Sequence, residues 1–124
     1  MQFFSPQQLN RLMPMFFATT LGFSLLTTTA YAMPLTQTEI DQKIKAVPEW
    51  RQLKQTITRT FEFKNFVEAI AFVDQLVEPA EAAGHHPDLT ISYNKVTVSL
   101  STHDAGGLTD KDFALAQTIS NIPH

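Results

Sequence analysis

From Thr36 onward the hydrophobic positions follow two periods, and the switches between them divide the chain into elements. Ile40, Ile44 and Val47 recur at helical spacing behind Thr36-Gln37-Thr38-Glu39, which has the form of a capping box, with Leu35 and Ile40 as its staple pair. Pro48 ends this helix, because the residue before a proline is driven out of helical geometry. A second helix opens on Asn65 as N-cap and repeats Phe66, Val67, Ile70, Val73 and Val77 at the 3.6-residue period. Pro79 is expected to bend or fray its last turns, and Gly84 to stop it. The third begins at Thr109-Asp110-Lys111-Asp112, with Leu108 and Phe113 as staple and Leu115, Ala116, Ile119 and Ile122 facing inward.

Between the helices the period falls to two. Ile57, Phe61 and Phe63 alternate with Thr58, Thr60 and Glu62, although Arg59 interrupts the apolar face. Leu89, Ile91 and Tyr93 alternate with Thr90 and Ser92, and Val96, Val98 and Leu100 with Thr97, Ser99 and Ser101. Asn94-Lys95 separates the last two runs and suits a two-residue hairpin turn. A short run from Trp50 to Leu53 offers another strand. The order is helix, strands, helix, hairpin, helix. It predicts an α+β domain of two layers: an antiparallel sheet with one polar face and helices packed on the other.

Residues 1–32 stand apart from this pattern. They hold one charge, Arg11, and the first acid is Glu39. A largely apolar stretch from Met13 to Leu26 leads through Thr27-Thr28-Thr29 to Ala30-Tyr31-Ala32, the layout of a secretory signal peptide cleaved after Ala32. The apolar run is too short and too interrupted for a comfortable membrane span, so no membrane anchor is expected in the mature form. Met33 is equally an initiator, with 1–32 as spurious upstream sequence. The compartment is exported or periplasmic under the first reading and cytoplasmic under the second. Residues 33–124 form the expected domain either way. A net charge of −3 leaves no basic footprint for nucleic acid, and the absence of cysteine removes disulfides, thiolate nucleophiles and zinc–thiolate sites.

The chemistry gathers near the C-terminal end. Glu81, His85, His86 and Asp88 lie where the second helix gives way to the hairpin, and His103, Asp104 and Asp112 lie beyond it. Imidazole gives and takes protons near neutral pH, so histidines and acids brought together make a candidate for acid–base chemistry. The hairpin supplies the geometry. The start of its first strand and the end of its second share one sheet edge, so His85, His86 and His103 can converge there. A metal site is disfavoured, since adjacent histidines diverge easily and no helical His-x-x-x-His pair is present. Glu81, four residues before His85, is a candidate orienting carboxylate. Asp112 reads as the capping acid of the third helix. Asp88 and Trp50 complete the candidates for orienting or binding a substrate, although a sole tryptophan more often fills a core or an interface.

Glu81-x-x-x-His85-His86-Pro87, followed by Tyr93, His103 and Asp112, resembles the signature of the pterin-4a-carbinolamine dehydratase family. Val47-Pro48-Glu49-Trp50, Phe61-Glu62-Phe63-Lys64-Asn65-Phe66 and Leu100-Ser101-Thr102-His103 are similar to the family as well. The resemblance covers residues 33–124. It implies four antiparallel strands backed by three helices, assembled as homodimers or homotetramers, and a pterin substrate. It implies dehydration of 4a-hydroxytetrahydropterin to quinonoid dihydropterin, the recycling step of tetrahydrobiopterin, without metal or cofactor. His85, His86 and His103 would line that site. His85 and His103 are the expected acid–base pair, with His86 orienting the substrate and Glu81 setting an imidazole's tautomer. Leu89 departs from the family, where an aromatic often stands. The competing expectation is a non-catalytic pterin-binding or dimerisation module, since some relatives act as coactivator partners of a transcription factor.

Overall fold

The computed structural model describes residues 31–124. The choice between a leader and a late start concerns residues 1–32, of which 1–30 lie outside the described residues. The elements run α1 (Gln37–Lys43), β1 (Arg51–Leu53), β2 (Thr56–Glu62), α2 (Phe66–Gln75), α3 (Val77–Ala83), β3 (Asp88–Ser92), β4 (Lys95–Leu100) and α4 (Asp110–Ser120), with single 3₁₀ turns at Ile44–Ala46 and His103–Ala105. The strands form one antiparallel sheet in the order β1-β2-β4-β3.

Alternation decides which face is buried. Ile57 and Phe61 of β2 and Val96, Val98 and Leu100 of β4 are buried under the helices, joined by Ala69 and Phe72 of α2 and Leu115, Ala116 and Ile119 of α4. Thr58, Thr60, Thr97 and Ser99 occupy the opposite face, where Thr60 and Thr97 hydroxyls meet at 2.9 Å. Arg59 points into the apolar layer. Its guanidinium lies 4.1 Å from the Phe61 ring centroid and pairs with Glu49 at 2.6 Å, so the stem is covered while the charge has a partner.

Two details differ from the expected pattern. The second helix does not fray after Pro79 but breaks earlier, at Leu76, into α2 and α3. Pro79 cannot donate to Gln75 and its ring crowds that carbonyl, so the α-helical ladder has to restart with proline in a first turn. The hairpin turn is Tyr93-Asn94 rather than Asn94-Lys95, with Ser92 opposite Lys95 and Ile91 opposite Val96. Tyr93 takes the left-handed conformation at φ 53°, and the Asn94 amide donates to Phe63 O at 2.7 Å. That tie to β2 favours the observed turn. Moving the turn by one residue shifts the pairing by two, so every side chain keeps its face.

Candidate active site

The site is built at the end of the sheet where β3 begins and β4 ends. Gly84 closes α3 in the left-handed region at φ 56°, and His85 N–H bonds back to Ala80 O at 3.1 Å while Gly84 N–H reaches Glu81 O at 3.1 Å. This is a Schellman closure. A Cβ on Gly84 would meet nothing within 4 Å, so the glycine is required by its backbone angle and not by space. The reversal sends two adjacent histidines to different partners.

His85 turns toward the helix layer. Its Nε2 lies 2.6 Å from Oδ1 of Asp112, and its side chain keeps 11% of its surface open. Asp112 is fully buried at 0% exposure. The other carboxylate oxygen, Oδ2, accepts from the Thr109 backbone N–H at 2.8 Å and from the Thr102 hydroxyl at 2.8 Å. The Thr102 and Thr109 hydroxyls meet at 2.8 Å. Asp112 therefore caps α4 as its position implies, and it also holds His85. The capping use was readable from sequence. The contact with His85 was not, because those residues are brought together only when the β3–β4 hairpin and α4 have docked.

His86 turns back on α3, where its Nε2 lies 2.7 Å from Glu81 Oε1, with both side chains largely exposed. Glu81 thus orients His86 and not the histidine four residues after it. The left-handed Gly84 rotates His85 off the helical face on which an i,i+4 pair would have met.

His103 opens the 3₁₀ turn after β4 and is exposed, and no hydrogen bond holds its ring among the described residues. The chain before it is nonetheless anchored. Ser101 Oγ donates to Gln55 O at 2.8 Å, and Thr102 Oγ1 reaches Asp112. Asp88 sits opposite Ser99 and lines an open groove of about 870 Å³ that also takes in Lys54, Gln55 and Thr58. Trp50 requires a correction. It lies in the core at 2% exposure, donates its indole N–H to Ser120 Oγ at 2.9 Å and stands edge-on to Phe61. An aromatic beside the buried β2 face is drawn into the core, and in this chain it offers no surface to a ligand.

Among the described residues no group of three or more His, Asp or Glu side chains is arranged to hold a metal ion. What the arrangement can do is move protons: two imidazoles are each held at one nitrogen by a carboxylate, and a third, His103, directly follows Thr102, whose hydroxyl meets the carboxylate that holds His85. No helix among the described residues is long and apolar enough to cross a membrane.

The family model described as pterin 4 alpha carbinolamine dehydratase matches residues 33–122. A relative from Picosynechococcus is 62% identical over 91 residues, which is 73% of this chain and 99% of the relative. One from Nostoc punctiforme is 60% identical over 90 residues, covering 71% of this chain and 95% of the relative. Both are named for pterin-4-alpha-carbinolamine dehydratase, an activity their names leave provisional. A crystal structure from Brucella melitensis, titled a transcriptional coactivator/pterin dehydratase, matches with a TM-score of 0.69 at 34% identity, covering 73% of this chain and 99% of that one.

Proposed function

The chain belongs to the pterin 4 alpha carbinolamine dehydratase family, and from that premise we propose that it dehydrates a 4a-hydroxytetrahydropterin to the quinonoid dihydropterin. The reaction breaks the bond from C4a to its hydroxyl and forms a C4a=N5 double bond. A proton must reach the departing oxygen, which leaves as water, and another must leave N5 so that its electrons can expel the hydroxyl. Two imidazoles in opposite protonation states perform both transfers, and each typically contributes about 10²–10⁴-fold. Neither transfer needs a metal or a cofactor.

The observation that carries this reading is the 2.6 Å contact of His85 with a fully buried carboxylate. A cation forming on His85 as it takes the N5 proton would face Asp112 in a medium that screens little. That makes His85 the base and His103 the acid. His86, held by Glu81, orients the ring system. Half-exposed Leu89 and Ile91 on the edge strand β3 are surface that assembly into a dimer or tetramer would cover.

The test is direct. Supplied with a 4a-hydroxypterin, the protein should accelerate appearance of the quinonoid ultraviolet signal, and H85A and H103A should each lower kcat by about 10²-fold or more. Unchanged rates in both variants would defeat the assigned roles. The Brucella relative's title names a coactivator beside a dehydratase, so the second reading is a pterin-binding or dimerisation module. Saturable pterin binding without turnover would establish that reading instead.

A further inference from the structure

Asp112 meets hydrogen-bond donors at both oxygens. Thr109 N–H and the Thr102 hydroxyl reach Oδ2, each at 2.8 Å, and His85 Nε2 reaches Oδ1 at 2.6 Å. That is the pattern an ionised carboxylate satisfies, and such a group has no hydrogen to give. The hydrogen in the contact with His85 must then sit on Nε2. A neutral imidazole carries one N–H, so Nδ1 of His85 keeps its lone pair. No hydrogen bond occupies Nδ1 among the described residues.

Thr102 fixes the direction of the chain. Its single hydroxyl hydrogen goes to Asp112, so Thr109 must be the donor in the 2.8 Å contact between the two hydroxyls. The sequence Thr109 to Thr102 to Asp112 runs one way, through groups buried or half-buried, where aligned hydrogen bonds reinforce one another. Thr102 also immediately precedes His103, so one hydroxyl ties the chain carrying one site histidine to the carboxylate holding the other.

We propose that Thr102 is a positioning residue: it locks the Asp112 carboxylate so that His85 is held with Nε2 protonated and takes the substrate proton at Nδ1. The second half of this statement rests on the dehydratase reading above, while the tautomer itself does not.

The experiment reads both. In ¹⁵N NMR of protein carrying labelled histidine, with His85 identified by comparison with His85→Gln, neutral His85 should show a protonated Nε2 and an unprotonated Nδ1. In Thr102→Val the carboxylate keeps only its Thr109 N–H tie on Oδ2 and is free to swing away from Nε2, so the two tautomers should mix. Then kcat should fall roughly ten- to a hundredfold with KM little changed, the size expected for losing a hydrogen bond to a charged group. Thr102→Ser keeps the hydroxyl and should restore both readouts. If valine prevents folding, Thr102→Ala removes the same hydroxyl with less crowding and carries the same expectation. A wild-type His85 protonated at Nδ1 overturns the proposal, as does a folded T102V or T102A protein with unchanged tautomer and kcat. The expected tautomer in a wild-type protein that does not turn over would instead overturn the dehydratase reading, leaving the hydrogen-bond order supported.

Discussion

Two helices of this fold open on the same motif, a threonine followed three residues later by an acid, and only one of them reaches the site. At α1, Oε2 of Glu39 accepts from the Thr36 backbone N–H at 2.8 Å and from the Thr36 hydroxyl at 2.8 Å, both exposed. Both bonds fall on one oxygen and stay within its own helix, and the other oxygen is left to solvent. At α4, Asp112 gives one oxygen to the Thr109 N–H and to Thr102 and leaves the other for His85, in full burial. The difference teaches that a capping signature specifies only the local half of a carboxylate's bonding. Burial decides how much the other half is worth, since a buried group stripped of its partner bears its whole desolvation cost while an exposed one is rescued by water.

The strongest way to break the comparison is Asp112→Asn. Thr102 and Thr109 both donate, so the amide oxygen should turn toward them and the NH₂ toward His85. His85 would then have to accept at Nε2 and carry its proton on Nδ1, the reverse of the arrangement described above. The side chain keeps its size and α4 keeps its cap, so the helix should persist by circular dichroism. Turnover should fall by about 10²–10⁴-fold. D112N with wild-type kcat would show that the buried acid is a cap and nothing more.

A subtler variant is Asp112→Glu, which gives α4 the acid found in α1. Glutamate can still reach its own helix's N-terminus, so the cap survives. An added methylene at a fully buried position forces its neighbours apart, at a cost of about 1–3 kcal/mol, and re-aims the oxygen that held His85. A lowered Tm together with roughly tenfold slower turnover is expected. Should D112E match the wild type in both, the site would be more forgiving than its packing implies.

The same contrast explains what could be read from the chain in advance. The antiparallel sheet, its buried face and the starts of α1, α2 and α4 follow from features a few residues apart: Thr36 with Glu39, Asn65 with Glu68, Thr109 with Asp112, and the alternation of Val96, Val98 and Leu100. Pro79 and Gly84 were recognisable as punctuation, but not that the ladder would break at Leu76 or that the Gly84 reversal would hand Glu81 to His86. The Tyr93-Asn94 turn depended on Asn94 finding Phe63 O across the sheet. The partnership of His85 with Asp112 is likewise a product of tertiary docking, as is the burial that withdrew Trp50 from any ligand. Local chemistry placed the elements, and long-range packing assigned the partners.

The smallest expected effect lies at α1 and sharpens the contrast from the other side. The Thr36 backbone N–H first, and the Thr36 hydroxyl second, hold the Glu39 carboxyl below its ordinary value. A carboxyl lowered on folding contributes stability that is present above its unfolded pKa and is lost as pH falls through the lower, folded value. Glu39→Gln should therefore melt slightly below wild type at neutral pH, and the gap should close as acid protonates Glu39 in the wild type, below the ordinary carboxylate range. Because the group is exposed, added salt should also shrink the gap. Turnover should not change at any pH at which the protein is folded, since no bond from Glu39 leads to a histidine. A change in kcat for E39Q would mean that α1 communicates with the site after all, and that the two boxes differ less in function than their surroundings imply.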